Sequence, residues 1–165
     1  MSKKAKKGID QILLFRKLGE TSGATKLMFQ TEHAIERSVD GGDTTATKDG
    51  PITSPGTPMQ EITLASIVGE GDPVIQLLRD AYWGQDTLEI WVIDKGAEPT
   101  DTKYPAEYSQ GKLSEFNETA NAEDLMEIEG TIIVDGIPQQ GEATLSVEQS
   151  EVVQYVFTDT VETGD

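Results

Sequence analysis

Cysteine is absent from the 165-residue chain. That excludes disulfides, thiolate metal sites and thiol nucleophiles, and leaves the redox compartment undetermined. Histidine occurs once, as His33, which removes most imidazole-based metal and triad chemistry. Long apolar runs are missing as well. The longest near the N-terminus, Ile12 to Phe15, is far too short for a signal-peptide core or a membrane span, although Lys3, Lys4, Lys6 and Lys7 stand where a charged flank would. The expectation is synthesis and folding in the cytoplasm, with no membrane contact. Basic residues run out along the chain: none follows Lys112.

The charge that is present is therefore lopsided. Residues 1–50 carry a net +2 and residues 51–165 a net −19, for a formal net charge of −17. A nucleic-acid binder neutralises phosphates with Lys and Arg, so this balance has the wrong sign for one. It suits a surface that must not hold DNA, and equally an acidic surface that only confers solubility.

The stretch Asp40 to Pro58 has almost no apolar residues and is punctuated by glycine and proline, so it reads as one long loop without regular structure. Strands are expected on both sides, over 26–38 and 59–68, the latter with Ile62, Leu64 and Val68 alternating against Glu61, Thr63 and Ala65. A loop of this length inside a compact domain is usually functional or disordered.

Elsewhere, a basic tail over 1–9 precedes a strand over 11–17. His33 sits mid-strand with no second ligand nearby and reads as a structural or surface histidine. Asp72 and Pro73 form a helix start, and Gly84 stops the helix after Trp83. Within that helix, 72–83, Val74, Leu77, Leu78 and Ala81 make an apolar stripe suited to packing on a sheet. Strands follow over 87–95, 104–116 and 125–134, with Pro105 placing the start of the second at an edge. Asp135-Gly136 reads as a tight hairpin turn, with a returning strand over 141–146. Ser146 with Gln149 has the spacing of a capping box, while Val152, Val153, Tyr155, Val156 and Phe157 favour a strand. Together these give one α+β domain over 10–157, mainly β: an antiparallel β-sandwich or open barrel with one packed α-helix, and a flexible C-terminus over 158–165.

For chemistry, only carboxylates are abundant. Glu127 and Glu129 share a strand face, but two glutamates on an acidic strand are expected from composition, and no acid–base site is visible. Asp40 with Asp43, and Asp94 with Glu98 and Asp101, lack the spacing of a calcium loop. The Asn117-Glu-Thr119 glycosylation pattern has no secretory context. No catalytic residue, cofactor or metal is assigned.

The order of pieces nevertheless has a counterpart. Ile12-Leu-Leu-Phe15, Phe29-Gln-Thr31, Glu36-Arg-Ser38 leading into Thr45-Ala-Thr-Lys-Asp-Gly50 and Pro51, the helix Asp72 to Trp83, Leu88-Glu-Ile-Trp-Val92, and Glu127-Ile-Glu129 before Gly136 together resemble the major tail, or tail-tube, proteins of bacteriophages with long non-contractile tails. The resemblance spans residues 10–146. It implies a structural virion subunit, assembled in the host cytoplasm, that forms rings, six copies each, stacked into a tube conducting DNA without specific binding. It also implies tape-measure, tail-terminator and distal-tail proteins as partners. In such proteins the loop before the third strand reaches a neighbouring ring or subunit, which here implicates Asp40, Asp43, Thr45, Thr47, Lys48, Asp49, Gly50 and Pro51. Glu32, Glu36, Glu61, Glu127 and Glu129 are the candidate lumen-lining carboxylates. A contractile-tail or type VI secretion tube shares the architecture, and a calcium- or carbohydrate-binding β-sandwich module is the alternative from another class.

Overall fold

In a computed structural model, residues 3–146 are described, together with Gln149 and Thr160. The expected strand over 152–157 and the expected flexible segment 158–165 lie outside the described residues, apart from Thr160. The elements are β1 (Gln11–Lys17), β2 (Thr25–Lys26), β3 (Phe29–Asp40), β4 (Thr44–Thr47), β5 (Gly50–Thr53), β6 (Thr57–Ile67), α1 (Pro73–Gly84), β7 (Leu88–Asp94), β8 (Lys103–Thr119) and β9 (Glu127–Thr144). Seven strands form one antiparallel sheet in the order β2-β1-β7-β8-β9-β6-β3, and β4 pairs only with β5. The architecture is the expected one: mainly β and antiparallel, with the helix α1 packed on the sheet.

The apolar run of β1 has a direct cause. Leu13 and Phe15 point into the main core with Leu88, Ile90 and Val92 of β7, whereas Ile12 and Leu14 point the other way, into a second cluster with Ile93, Ala106 and Leu145. A strand covered on both faces loses the polar half of its alternation. By contrast, β6 and β9 keep that alternation: Ile62, Leu64, Ile128 and Ile132 are buried, and the residues between them face outward. The helix completes the main core with Val74, Ile75, Leu78 and Ala81.

The helix start is shared with a strand. One carboxylate oxygen of Asp72 accepts from the Val74 N–H at 3.0 Å, the expected cap, and the other accepts from the Met28 N–H at 2.9 Å. This second bond lies at a break in what the sequence presents as one strand: Leu27 turns into the core, and the strand divides into β2 and β3. The helix also runs one residue further than expected. Gly84 is its last residue, and Gln85 adopts the left-handed conformation at φ 50°. Gln85 holds that conformation while its side-chain amide donates to the carbonyls of Tyr82 and Leu113, at 2.7 and 3.2 Å.

Two expectations are corrected. Asp135-Gly136 is not a hairpin turn, because β9 continues to Thr144 and pairs with β8 on both sides of it. Gln110 is opposite Asp135 and Tyr108 is opposite Gln139, so Gly136, Ile137 and Pro138 bulge out against a single residue. Glycine at φ 69° and a proline without an N–H serve a bulge as well as a turn, and the 17-residue β8 supplies a partner beyond it. The second correction concerns 40–58, which is not structureless: β4 and β5 form a hairpin within it.

The sheet curls until its two ends meet. The Gln30 side chain of β3 accepts from the Leu13 N–H at 3.0 Å and donates to the Leu13 carbonyl at 2.6 Å, so one amide stands in for a strand's backbone against β1. His33 pairs with Gln11 at 2.8 Å along the same seam. The result is an open barrel, stitched rather than sealed.

Gln30→Ala leaves both Leu13 groups without these partners and is expected to cost about 1–3 kcal/mol in urea unfolding. A loss under about 0.5 kcal/mol, the level of an ordinary surface change, would mean that the seam does not hold the barrel. Burial lowers the His33 pKa below its ordinary 6.5, so the neutral ring is favoured in the fold. Stability from this group is complete above pH 6.5 and declines as the pH falls through the folded-state value. Relative to His33→Gln, the parent protein should lose stability between pH 7 and pH 5, and parallel profiles would refute the assignment.

Candidate functional site

Four strands, β8-β9-β6-β3, share an outward face that no other described element covers with backbone pairing. Register places its residues in rows. Glu32 lies beside Ala65, then Glu129, then Asn117; Ala34 beside Thr63, Thr131 and Glu115; Glu36 beside Glu61, Ile133 and Lys112. Glu127 continues the face next to Ile67 and Thr119. All five candidate carboxylates, Glu32, Glu36, Glu61, Glu127 and Glu129, therefore stand on one face. Glu36 and Glu61 are direct cross-strand partners, a like-charge pairing that costs stability. The only basic residue in these rows is Lys112, and it pairs with Asp135 at 3.7 Å.

A sixth carboxylate, Glu115, belongs to the face and was missed. Simple alternation from buried Leu113 would turn Glu115 inward. A bulge between Leu113 and Glu115 leaves Ser114 and Glu115 both exposed and returns Phe116 to the core side. Nothing in the local sequence marks that phase change. Glu32, Glu115 and Glu129 line a shallow depression of about 240 Å³ on this face.

Among the described residues, two edges without a strand partner border the four strands, although on the β8 side the Leu113 carbonyl accepts from the Gln85 side chain. β3 is hydrogen-bonded as a strand only to β6, and β8 pairs with β7 only over Ala106–Gly111, so its distal half, 112–119, has β9 alone as strand partner. Pro105 lies just outside the β7 pairing and is opposite Glu142 of β9.

The hairpin gathers the other candidate residues. Asp40 ends β3, and Asp43 accepts from the Ser54 N–H at 2.7 Å at the hairpin base. Thr45 and Thr47 lie on β4, Lys48 and Asp49 form the turn, and Gly50 and Pro51 begin β5, all exposed. The Thr47 hydroxyl accepts from the Asp49 N–H at 3.2 Å and donates to the Gly50 carbonyl at 2.5 Å. Gly50 sits at φ 117°, accessible to glycine. An isolated two-stranded hairpin is marginal in water.

On the same side of the sheet, but over β1, β7 and the first half of β8, sits a structural polar cluster. Arg16 bonds Glu89 through Nε at 2.6 Å and lies 5.0 Å over the Trp91 ring, and the Tyr108 hydroxyl donates to Glu89 at 2.7 Å. These bonds, the one from Arg16 foremost, lower the Glu89 pKa, while burial raises that of Tyr108. Among the described residues no group of three or more carboxylate or imidazole side chains is arranged to hold a metal ion.

Comparison with known proteins identifies the family and the fold. The family described as phage tail tube protein matches residues 5–140. A putative tail protein of Staphylococcus phage phiMR25 is 32% identical over 157 residues, covering 92% of this chain and 81% of its own length. Among solved structures, the SPP1 tail tube superposes with a TM-score of 0.79 at 20% identity, covering 96% of this chain and 94% of its own. The tail of an empty gene transfer agent particle, refined helically with C6 symmetry, superposes with a TM-score of 0.63 at 12% identity, covering 82% and 98%. The chain belongs to the phage tail tube protein family.

Proposed function

We propose that this chain is the structural, non-catalytic subunit of a non-contractile phage tail tube, in which copies join edge to edge into rings and the acidic face lines the lumen. The observation that carries the reading is the coincidence of the face with its edges: among the described residues, the strands bearing Glu32, Glu36, Glu61, Glu115, Glu127 and Glu129 end on both sides without a further strand partner. Free strand edges are liabilities that closure removes. With four antiparallel strands per copy, β3 of one subunit runs antiparallel to β8 of the next, so every junction repeats the pairing found inside the subunit. Six copies per ring is the symmetry recorded for the gene transfer agent tail.

A lumen lined in this way repels phosphates. DNA-binding proteins neutralise phosphate charge with cations, and here six glutamates answer to one lysine that is already paired. DNA then passes without adhering. In this reading the hairpin around Thr45, Thr47, Lys48, Asp49, Gly50 and Pro51, flanked by Asp40 and Asp43, reaches the adjoining ring and gains there the cover it lacks alone. The tube is a virion component assembled in the host cytoplasm, with tape-measure, terminator and distal tail proteins acting at its length and ends.

Replacing Glu127 and Glu129 together by Lys should leave tubes visible by negative-stain electron microscopy while genome ejection slows or stalls. Normal ejection kinetics from such tubes would count against an electrostatic lumen. Deleting residues 44–53 removes a hairpin whose strands pair only with each other, so unfolding free energy should change by no more than about 0.5 kcal/mol while rings fail to stack. Stacked tubes from the deletion would remove the hairpin from the joint.

A further inference from the structure

Large apolar side chains are exposed at two opposite ends of one ribbon. Of the twelve that are exposed among the described residues, Met28, Phe29, Leu125 and Met126 stand where β3 begins, β6 ends and β9 begins. Val39 and Met59 stand at the other end, where β3 ends and β6 begins, with Ile137 on the nearby bulge of β9. Ten residues separate Phe29 from Val39 along β3, or roughly 30 Å of strand. Apolar exposure concentrated at the ends of a ribbon marks contacts made end to end.

The two ends differ in shape. At the first, Met28 and Phe29 rest on Gly69, where an added Cβ would lie 2.7 Å from the Met28 sulfur. The Val68 N–H donates to the Met126 carbonyl at 2.8 Å, which fixes Leu125 and Met126 alongside. This end is a knob held by its backbone. At the second, Val39, Pro58, Met59, Ile137 and Pro138 enclose a groove of about 360 Å³. Gly56 lies against its wall, where a Cβ would come within 2.8 Å of the Val39 side chain and 2.5 Å of the Asp40 carbonyl.

Charge differs in the same sense. Arg37 lines the groove, its side chain 64% exposed even with Glu107 at 3.7 Å. The loops flanking the knob carry Glu70, Glu123 and Asp124 and no basic residue, and Glu127 opens β9 beside them. A groove and a knob of unlike shape on opposite ends make a heterologous contact, and such a contact does not close on itself but extends into a filament.

We infer that these ends are the two halves of a stacking joint: the groove at Val39, Pro58, Met59 and Ile137 of one copy receives the knob of Met28, Phe29, Leu125 and Met126 of a second copy. The inference rests on the tube reading, which supplies the head-to-tail assembly, and adds to it the residues that meet. It also places the β4–β5 hairpin beside the joint, since the hairpin springs from the groove end of β3 and β6.

The absence of cysteine makes the test clean. Phe29→Cys and Ile137→Cys subunits are prepared separately, mixed under assembly conditions and treated with a short bismaleimide, which tolerates geometry that a disulfide would not. The same samples are imaged by electron microscopy. The joint predicts cross-linked dimers in the mixture, a ladder from the double variant, and monomers from either single variant. Tubes without heterotypic cross-links, or Ile137→Cys dimers formed alone, would overturn the joint while leaving the tube reading intact. Neither tubes nor cross-links would overturn both. Ile137→Asp, at a side chain 85% exposed, should leave the melting curve unchanged and abolish tubes; tubes from this variant would also overturn the joint.

Discussion

A seven-stranded antiparallel sheet has two raw edges, and how they are disposed of governs everything else in this fold. Here the start of β3 is tied to β1 by one side-chain amide, Gln30, which offers a donor and an acceptor to the same residue, Leu13. Had a further strand closed the barrel, no edge would remain for a partner. Had nothing closed it, the main core would open between β1 and β3. The stitch lets the core be sealed while, among the described residues, most of β3 has no strand partner on that side.

The sheet is consequently two sheets in physical character. Its β1-β7 half is buried on both faces, with the main core on one side and the Ile12, Leu14 and Ile93 cluster on the other, backed by the Arg16–Glu89–Tyr108 network. That half tolerates no working surface. Its β6-β9 half has one face in the core and one bare, and the carboxylates collect there. The 17-residue β8 and 18-residue β9 run through both halves, so load applied to the bare face is carried into the doubly buried one.

Much of this was legible from the chain. The helix announced itself through Asp72, Pro73 and the stripe of Val74, Leu78 and Ala81, because caps and helical period are local signals. The Ile12–Phe15 run and the alternation of Ile128 and Ile132 located their strands for the same reason, and the reciprocal Ser146–Gln149 capping bonds match their spacing. What could not be read were changes of phase. Gly136 and Pro138 carry the same local chemistry in a bulge as in a turn, and only the length of β8 decides between them. Glu115 reached the acidic face through an extra residue that leaves no mark in the sequence. The β4–β5 hairpin was invisible because Thr, Gly and Pro give no apolar rhythm. The five glutamates could be named as candidates, but their sharing of one face depends on register among β3, β6 and β9, which no single segment encodes.

The number of strands on the bare face has a consequence for the geometry of the proposed ring. Four is even, so chain direction alternates correctly across every junction whatever the number of copies. Five, six or seven subunits would satisfy the hydrogen bonds equally well. An odd count would have forced parallel junctions between antiparallel subunits. Polarity therefore enforces that rings can close but is silent on how large they are. Ring size becomes an analogue quantity, held in the angle between β3 and the far end of β8, and the residues that set that angle are the buried ones beneath the face rather than the charged ones upon it.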